Sequence, residues 1–390
     1  MNTNKLNNVM IAMTKKIFAA GAVLWFCCFL SIYATAQTKT FIHPGVLHTF
    51  KEFGQLKKTV DHKIEPGYSS YLLLRSNPAA AANYRMNGPY KVIARDGEYA
   101  WTKPKMEADF SAAYLNAIMW MVTGDKAHAK TSLHILEAYA DTLKTIPSTN
   151  DSPLLAGLEG FKIIYTAEVL HYTYKDMDAV QLAKITSMIT TVFLPVMDGF
   201  YNTKPYTNGN WGAIVTKAYI AAAIFLDNRP MYNKAIDFYY NGNDNGSLKN
   251  YISGKTGQLQ ESGRDQGHSQ LGIGALATTC EEAWQQGDDL YAALENRLLK
   301  GFEYVARYNL GDDGVPFTTW HDITGKYSDW TTISAKGRGR FIPIYYMAYH
   351  HYVIRKGLKM PYTKQVIDKV GPEGFDRDQP AFGTFLFSVN

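Results

Sequence analysis

The sequence predicts an all-α protein, an incomplete α/α toroid of antiparallel helical hairpins with long rim loops. Three features lead there: apolar residues recur at helical spacing along most of the chain, strand-like alternation is scarce, and the helical stretches pair across short turns. Residues 110–122 and 126–143 read as two amphipathic helices joined at Thr123-Gly124-Asp125, a breaker followed by a capping residue. Stretches 155–172 and 179–197 repeat the pattern. So do 211–226 and 231–240, which flank Asn228-Arg229-Pro230. Residues 266–286, 290–308 and 341–356 complete the series. Stacked αα-hairpins without a sequence repeat of fixed period favour an irregular toroid over a regular solenoid.

Two segments interrupt the helices. Residues 241–263 are polar and rich in Gly and Asn, and 311–339 hold Pro316, Trp320, His321, Asp322 and Trp330. Long loops inside a compact chain are usually functional, and both are expected to shape one rim of the ring. No linker divides the chain, so residues 37–390 are read as a single domain.

The first 36 residues read as a signal peptide. Lys15-Lys16 precede the apolar run 17–33, and Ala34-Thr35-Ala36 supplies small residues for cleavage after Ala36. The run lies near the lower limit for spanning a bilayer, but the A-x-A ending favours removal. Trp25 and Phe26 before Cys27-Cys28 are too bulky for a lipidation site. A periplasmic or secreted protein, with no membrane attachment after cleavage, is expected. Only Cys280 then remains, so the fold must hold without an internal disulfide. Removing Lys5, Lys15 and Lys16 lowers the formal charge from +5 to +2, and no Lys/Arg run offers a nucleic-acid surface. A monomer is the default expectation. Of the 27 Tyr, 19 Phe and 7 Trp part must be core, and Tyr and Trp also form flat platforms on which sugar rings lie.

Walker loops, G-x-S-x-G elbows and H-E-x-x-H helices are missing, which disfavours nucleotide chemistry, elbow-type serine hydrolysis and zincin proteolysis. The densest polar constellation is Glu261-Ser262-Gly263-Arg264-Asp265-Gln266-Gly267-His268. Arg264 and His268, four apart at a helix start, share one face and suit an anionic ligand; a helix-capping network explains the same residues equally well. Asn208-Gly209-Asn210-Trp211 precedes an apolar helix. It reads as a turn with an N-cap, or as two amides and an indole that hold a carboxylate and a sugar ring. A third group joins Trp320, His321, Asp322, Tyr327 and Trp330 to the cations Lys336, Arg338 and Arg340. His350 and His351 fall inside a helix pattern and read as structural.

On these residues the chain resembles the alginate-lyase superfamily of polysaccharide lyases, of the helical-toroid type. The matching stretches are HPGVLHT at 43–49, GLEGFKIIYTAEVL at 157–170, NGNWGAIV at 208–215, ESGRDQGHSQLGIGALA at 261–277 and GDDLYAALENRLLKGFEYVARYN at 287–309. HHYVIRKGLKMPYT at 350–363 and GPEGFDRDQPAFGTFLF at 371–387 extend them over almost the whole mature chain. The smaller single-domain lyases, such as polysaccharide lyase family 38, look most similar. The resemblance implies β-elimination on a uronic-acid polymer, alginate or glucuronan, with the anionic polysaccharide as partner. Carried over by position, Asn208, Asn210 and Arg264 neutralise the C6 carboxylate. His268 is base or part of the neutralising set. No motif fixes the tyrosine; Tyr327 is chosen because it sits in a polar loop, with Tyr114 and Tyr165 as rivals. Trp211, Glu261, Trp320, His321, Arg338 and Arg340 are expected to bind substrate. Related lyases often carry a histidine where this chain has Asn-Gly-Asn-Trp, so the roles of base and neutraliser stay open. A tyrosine near its ordinary pKa of about 10 needs a neighbouring cation to act as base at neutral pH. No cofactor or metal is required by this chemistry; the sequence shows no oxygen cage and leaves a structural Ca2+ or Zn2+ open.

Two other functions fit the composition. A toroidal glycoside hydrolase would need two carboxylates across the scissile bond, for which Glu261, Asp265, Asp109 and Asp322 are the acids on offer. A non-catalytic glycan-binding protein would normally be lipid-anchored, which the cysteine context opposes.

Overall fold

The computed structural model describes residues 40–202, 205, 206 and 208–388; the expected signal peptide at 1–36 lies outside the described residues. All elements below belong to the unit Phe41–Asn390. Among the described residues there is no β-strand, only the isolated bridges Val92–Thr145 and Ile252–Leu259.

Helices alternate between an inner and an outer layer. The inner ones are α3 (Lys103–Thr123), α5 (Ser152–Thr173), α8 (Gly209–Phe225) and α11 (Gln266–Gln285). Every residue of α8 is buried, and α5 and α11 are buried on nearly all sides. A helix that is apolar all round must sit between other elements, and α8 packs against both α5 and α11. The outer layer holds α4 (Lys126–Thr142), α6 (Ala179–Met188) with α7 (Leu194–Tyr201), α9 (Arg229–Asn241) and α12 (Ala293–Asn309). Each outer helix buries one face only. The α6–α7 helix continues through one π-turn, Ile189–Phe193, and turns Ile185, Met188, Ile189, Val192, Phe193 and Met197 inward. By length and composition Ala179–Tyr201 is apolar enough to cross a bilayer; here that stripe lies against α5 and the outer helix α4.

The hairpin turns follow the sequence closely. Gly124 closes α3 at φ 73°, a left-handed conformation glycine tolerates, and Asp125 caps α4 through the amide of Ala127 at 2.9 Å. The pairs α3/α4, α5/α6–α7, α8/α9 and α11/α12 are the predicted antiparallel hairpins, and the fold is an α/α toroid. Ahead of them stand α1 (Phe50–Asp61), opened by a Thr49–Glu52 capping box, and α2 (Gly67–Ser76). Short α10 (Leu248–Tyr251) interrupts the first rim loop. The chain ends with α13 (Tyr345–Tyr349), its π-helical continuation His350–Arg355, α14 (Pro361–Val370) and α15 (Gly383–Leu386).

The two long loops meet on one rim. Gln258 clamps Thr318 with its amide group, donating to the carbonyl at 2.7 Å and accepting from the backbone amide at 2.9 Å. Asn245 donates to Asp322 at 2.9 Å and accepts from Ile323 N at 3.1 Å. The first loop also lies directly on α8. A Cβ on Gly246 would stand 2.6 Å from backbone atoms of Gly209, Gly212 and Ala213, so only glycine permits this approach.

Candidate active site

The first turns of α8 and α11 lie side by side on this rim, and Glu261 ties them. Its carboxylate accepts from Asn210 N at 3.0 Å, from Asn210 Nδ2 at 2.8 Å to each oxygen, from Arg264 at 2.7 Å and from Tyr251 Oη at 3.2 Å. Glu261 is fully buried. The expected roles of Asn210 and Glu261 toward substrate therefore change: both lie beneath the surface, and they position Arg264 instead of meeting a ligand. Trp211 is also corrected. Only 6% exposed, it packs against Tyr206 at a 5.0 Å ring separation and belongs to the core.

Above this junction four predicted residues converge. Tyr327 donates its phenol hydrogen to Oδ1 of Asn208. Arg264 reaches His268 Nε2 at 3.1 Å, and His268 Nδ1 faces Asp265 Oδ2 at 2.7 Å. A guanidinium only donates, so Nε2 must be the accepting nitrogen and Nδ1 must carry the proton. Asp265 holds that tautomer while its other oxygen caps α11 through the His268 amide at 2.7 Å. Burial works against the charge on Asp265, but hydrogen bonds from the His268 ring and amide, with Arg264 alongside, bring its pKa down to about 2. Burial lowers the Arg264 pKa, but the Glu261 carboxylate raises it by more; the net shift is upward.

Burial pushes the Tyr327 phenol above its ordinary value, and the Arg264 charge opposes this without overcoming it. The expectation that a cation lowers this tyrosine is met in direction but not in outcome. The rival tyrosines fall away. Tyr114 and Tyr165 are buried in the core, Tyr114 donating to the Pro380 carbonyl at 3.0 Å and Tyr165 paired with His48 at 3.1 Å.

Tyr327 is placed by its own loop. Asp322 accepts its backbone amide at 2.6 Å, and Trp330 stacks on its ring at 4.2 Å. Trp330 in turn lies over Gly263, where a Cβ would come within 2.6 Å of it. Farther along, Arg338 is spoken for by Asp313 at 2.6 Å, the Tyr308 carbonyl at 2.8 Å and the Tyr308 ring, which corrects its expected substrate role. Arg340 is exposed and lines a cavity of about 330 Å3 beside His268. Trp320 is half-buried and His321 exposed on the rim loop, and neither joins the cluster. His350 and His351 are buried as expected; His351 stacks on Tyr291 at 3.9 Å, and burial brings its pKa down to about 3.

Sequence reasoning missed Tyr251, which braces Glu261, and Asp376 and Asp378, which the C-terminal tail brings to the same cavity. Asparagine–aspartate contacts between loops leave no local spacing to read. The four acids considered for hydrolysis are all engaged by donors: Glu261 and Asp265 as above, Asp322 by Asn245, Thr324 and Tyr327, and Asp109 by Tyr84, Asn87, Gly88 and Tyr139. Among the described residues, no three His, Cys, Asp or Glu side chains are grouped to hold a metal.

No curated protein matches the chain. Among solved structures, alginate lyase A1-III from Sphingomonas species A1 superposes with TM-score 0.66 at 10% identity, covering 90% of this chain and 98% of that one. A variant of alginate lyase A1-III complexed with a tetrasaccharide gives TM-score 0.66 at 11% identity, covering 92% and 99%. An alginate lyase from Bacteroides ovatus gives TM-score 0.59 at 14% identity, covering 90% and 100%. These likenesses speak for the toroid fold. The family model described as alginate lyase matches residues 58–317. The chain thus belongs to the alginate lyase family and is a polysaccharide lyase.

Proposed function

We propose that this lyase is exported and cleaves a uronic-acid polymer, alginate or glucuronan, by β-elimination at the Asn208–Tyr327–Arg264–His268 cluster. A kinship with polysaccharide lyase family 38 is part of the same proposal. The observation that carries it is the tautomer of His268, whose unprotonated Nε2 points at Arg264. A substrate carboxylate that draws the guanidinium toward itself leaves the Nε2 lone pair free. Binding the correct anion and exposing the base then become one event.

The steps follow from the donors present. Arg264 and the amide of Asn208 neutralise the C6 carboxylate, which makes the C5 proton removable. His268 Nε2 takes that proton. The electron pair forms the C4–C5 double bond as the C4–O4 bond breaks, and Tyr327 gives its proton to O4. A phenol held above its ordinary pKa stays protonated at neutral pH and suits the acid, while a neutral imidazole oriented by Asp265 suits the base. This division assigns the roles that the missing histidine near 208 left open.

The test is a screen of purified protein against polymannuronate, polyguluronate, glucuronan and a glycosaminoglycan. The conjugated C4–C5 double bond raises ultraviolet absorbance. Reducing ends without rising absorbance would overturn the elimination. His268→Ala should lower turnover on the order of 10²-fold or more in a folded protein; near-normal turnover would return His268 to a capping role.

A further inference from the structure

We propose that the cavity beside His268 is a sugar subsite in which Lys336 and Arg340 take a uronate carboxylate while Asp376 and Asp378 screen the ring against anionic substituents. The inference rests on the uronate-lyase reading above and adds what that reading lacks, a basis for choosing among uronate polymers.

The cavity measures about 330 Å3 and shares His268 and Asp265 with the reacting cluster. That volume lies at the low end for small-molecule sites and suits one sugar with a little water. Its lining is of mixed sign: Lys336, Gly337 and Arg340 come from the rim loop, Asp376 and Asp378 from the C-terminal tail, and Leu271 from α11.

The cationic segment is rigid in its backbone and free in its side chains. Gln266 N donates to the Lys336 carbonyl at 2.9 Å, and Gln270 Nε2 donates to the Arg340 carbonyl at 2.8 Å. Both Gln side chains are buried on α11, so the loop is fastened to the inner layer. Neither Lys336 nor Arg340 has an ion-pair partner among the described residues, whereas Arg338 between them turns away to Asp313 and Tyr308. Of three clustered cations, one serves the loop and two are left for a ligand.

The acids keep one buried acceptor unused. Asp376 accepts the Asp378 amide at 2.8 Å, and Oδ1 of Asp378 is buried without a hydrogen-bond partner. Burial raises the proton affinity of Asp376; the Asp378 amide opposes this and the Asp378 carboxylate adds to it, and the net shift is upward. Such oxygens accept hydroxyl hydrogens well. A sulfate in the same place has none to donate and adds like charge. A uronate with free hydroxyls therefore suits both the cations and the acids, and a sulfated sugar suits only the cations.

The experiment is titration calorimetry on His268→Ala protein with a mannuronate tetrasaccharide, an O-sulfated form, and an O-acetylated form as a neutral control for bulk. Adding Arg340→Ala should weaken the unsubstituted tetrasaccharide about 10-fold. Adding Asp378→Asn, or separately Asp376→Asn, should tighten the sulfated form at least about 5-fold and leave the acetylated form within about twofold. Unchanged affinity in Arg340→Ala, no gain for the sulfated form in either Asn variant, equal gains for both substituted forms, or no binding of the tetrasaccharide would each overturn the proposal. Flat ultraviolet absorbance with wild-type protein on the polymer would instead overturn the elimination chemistry, and the calorimetric pattern would still judge the subsite.

Discussion

Replacing Glu261 by glutamine tests the junction beneath the site. The carboxylate accepts three groups besides Arg264, and its side chain has no exposure while Arg264 keeps 24%. An amide keeps one acceptor and presents an NH2 toward donors, and the partly buried guanidinium loses its counter-charge. Breaking a fully buried pair costs about 3–5 kcal/mol; partial solvent access to Arg264 brings the expectation to about 3 kcal/mol. For about 350 residues the unfolding entropy is roughly 0.7 kcal/mol/K, so Tm should fall by about 4 °C. Turnover on a uronate polymer should fall on the order of 10²-fold, because Arg264 is no longer aimed at the substrate carboxylate. Calorimetric melting and ultraviolet turnover measure the two effects. The double variant Glu261→Gln, Arg264→Met removes the stranded charge, so it should recover part of the Tm and none of the turnover. An unchanged Tm in the single variant, or recovered turnover in the double, would refute this account of how the arginine is held.

Tyr327→Phe should lower turnover about 10²- to 10³-fold with Tm nearly unchanged, as a melting curve and an absorbance assay would report. Because burial raises this phenol, its loss of the proton should place no falling limb in the pH profile of kcat/KM below about pH 10; a Tyr327-dependent limb near neutrality would contradict the acid role. Asp265→Asn should cut turnover about 10-fold or more by releasing the His268 tautomer. The native Asp265 pKa of about 2 lies below the unfolded value, so its stabilisation is present above about pH 4 and lost as pH falls toward 2; the variant should flatten that part of an acid-unfolding curve. Glu373 has the opposite sign. Burial lifts its pKa to about 7 although the Tyr346 and Tyr345 amides donate to it, so the native state holds its proton more tightly than the unfolded chain. Stability should fall as pH rises from about 4.5 to 7, by on the order of 3 kcal/mol, and Glu373→Gln should remove that slope in melts at pH 5 and 8.

Much of the ring was legible because its signals are local. The Gly124-Asp125 breaker and cap, the largely apolar 209–225 stretch and the 266–285 helix needed only spacing and capping rules. Boundaries slipped where local geometry extends a helix: α3 begins at Lys103, seven residues before its apolar pattern, because Pro104 and a preceding 3-10 turn start it early. Helices α1, α2 and α14 were not read, since each buries only a few residues and mixes them with exposed polar ones. At the site, Arg264 and His268 were readable as an i,i+4 pair, and Tyr327 from its polar surroundings. The fates of Asn210, Trp211, Glu261 and Arg338 were not. Whether an amide faces solvent or a buried carboxylate depends on residues 50 or more positions away, and no periodicity records that.

The contact between Asn208 and Tyr327 spans 119 residues and joins the N-terminal cap of α8 to the second rim loop. Neither the helical scaffold nor that loop alone brings the two groups together. Chemical competence therefore requires the second rim loop to be seated against the inner helices. A chain severed between 311 and 339 would retain its hairpins yet lack a proton donor in place, making turnover a stricter gauge of correct assembly than helix content.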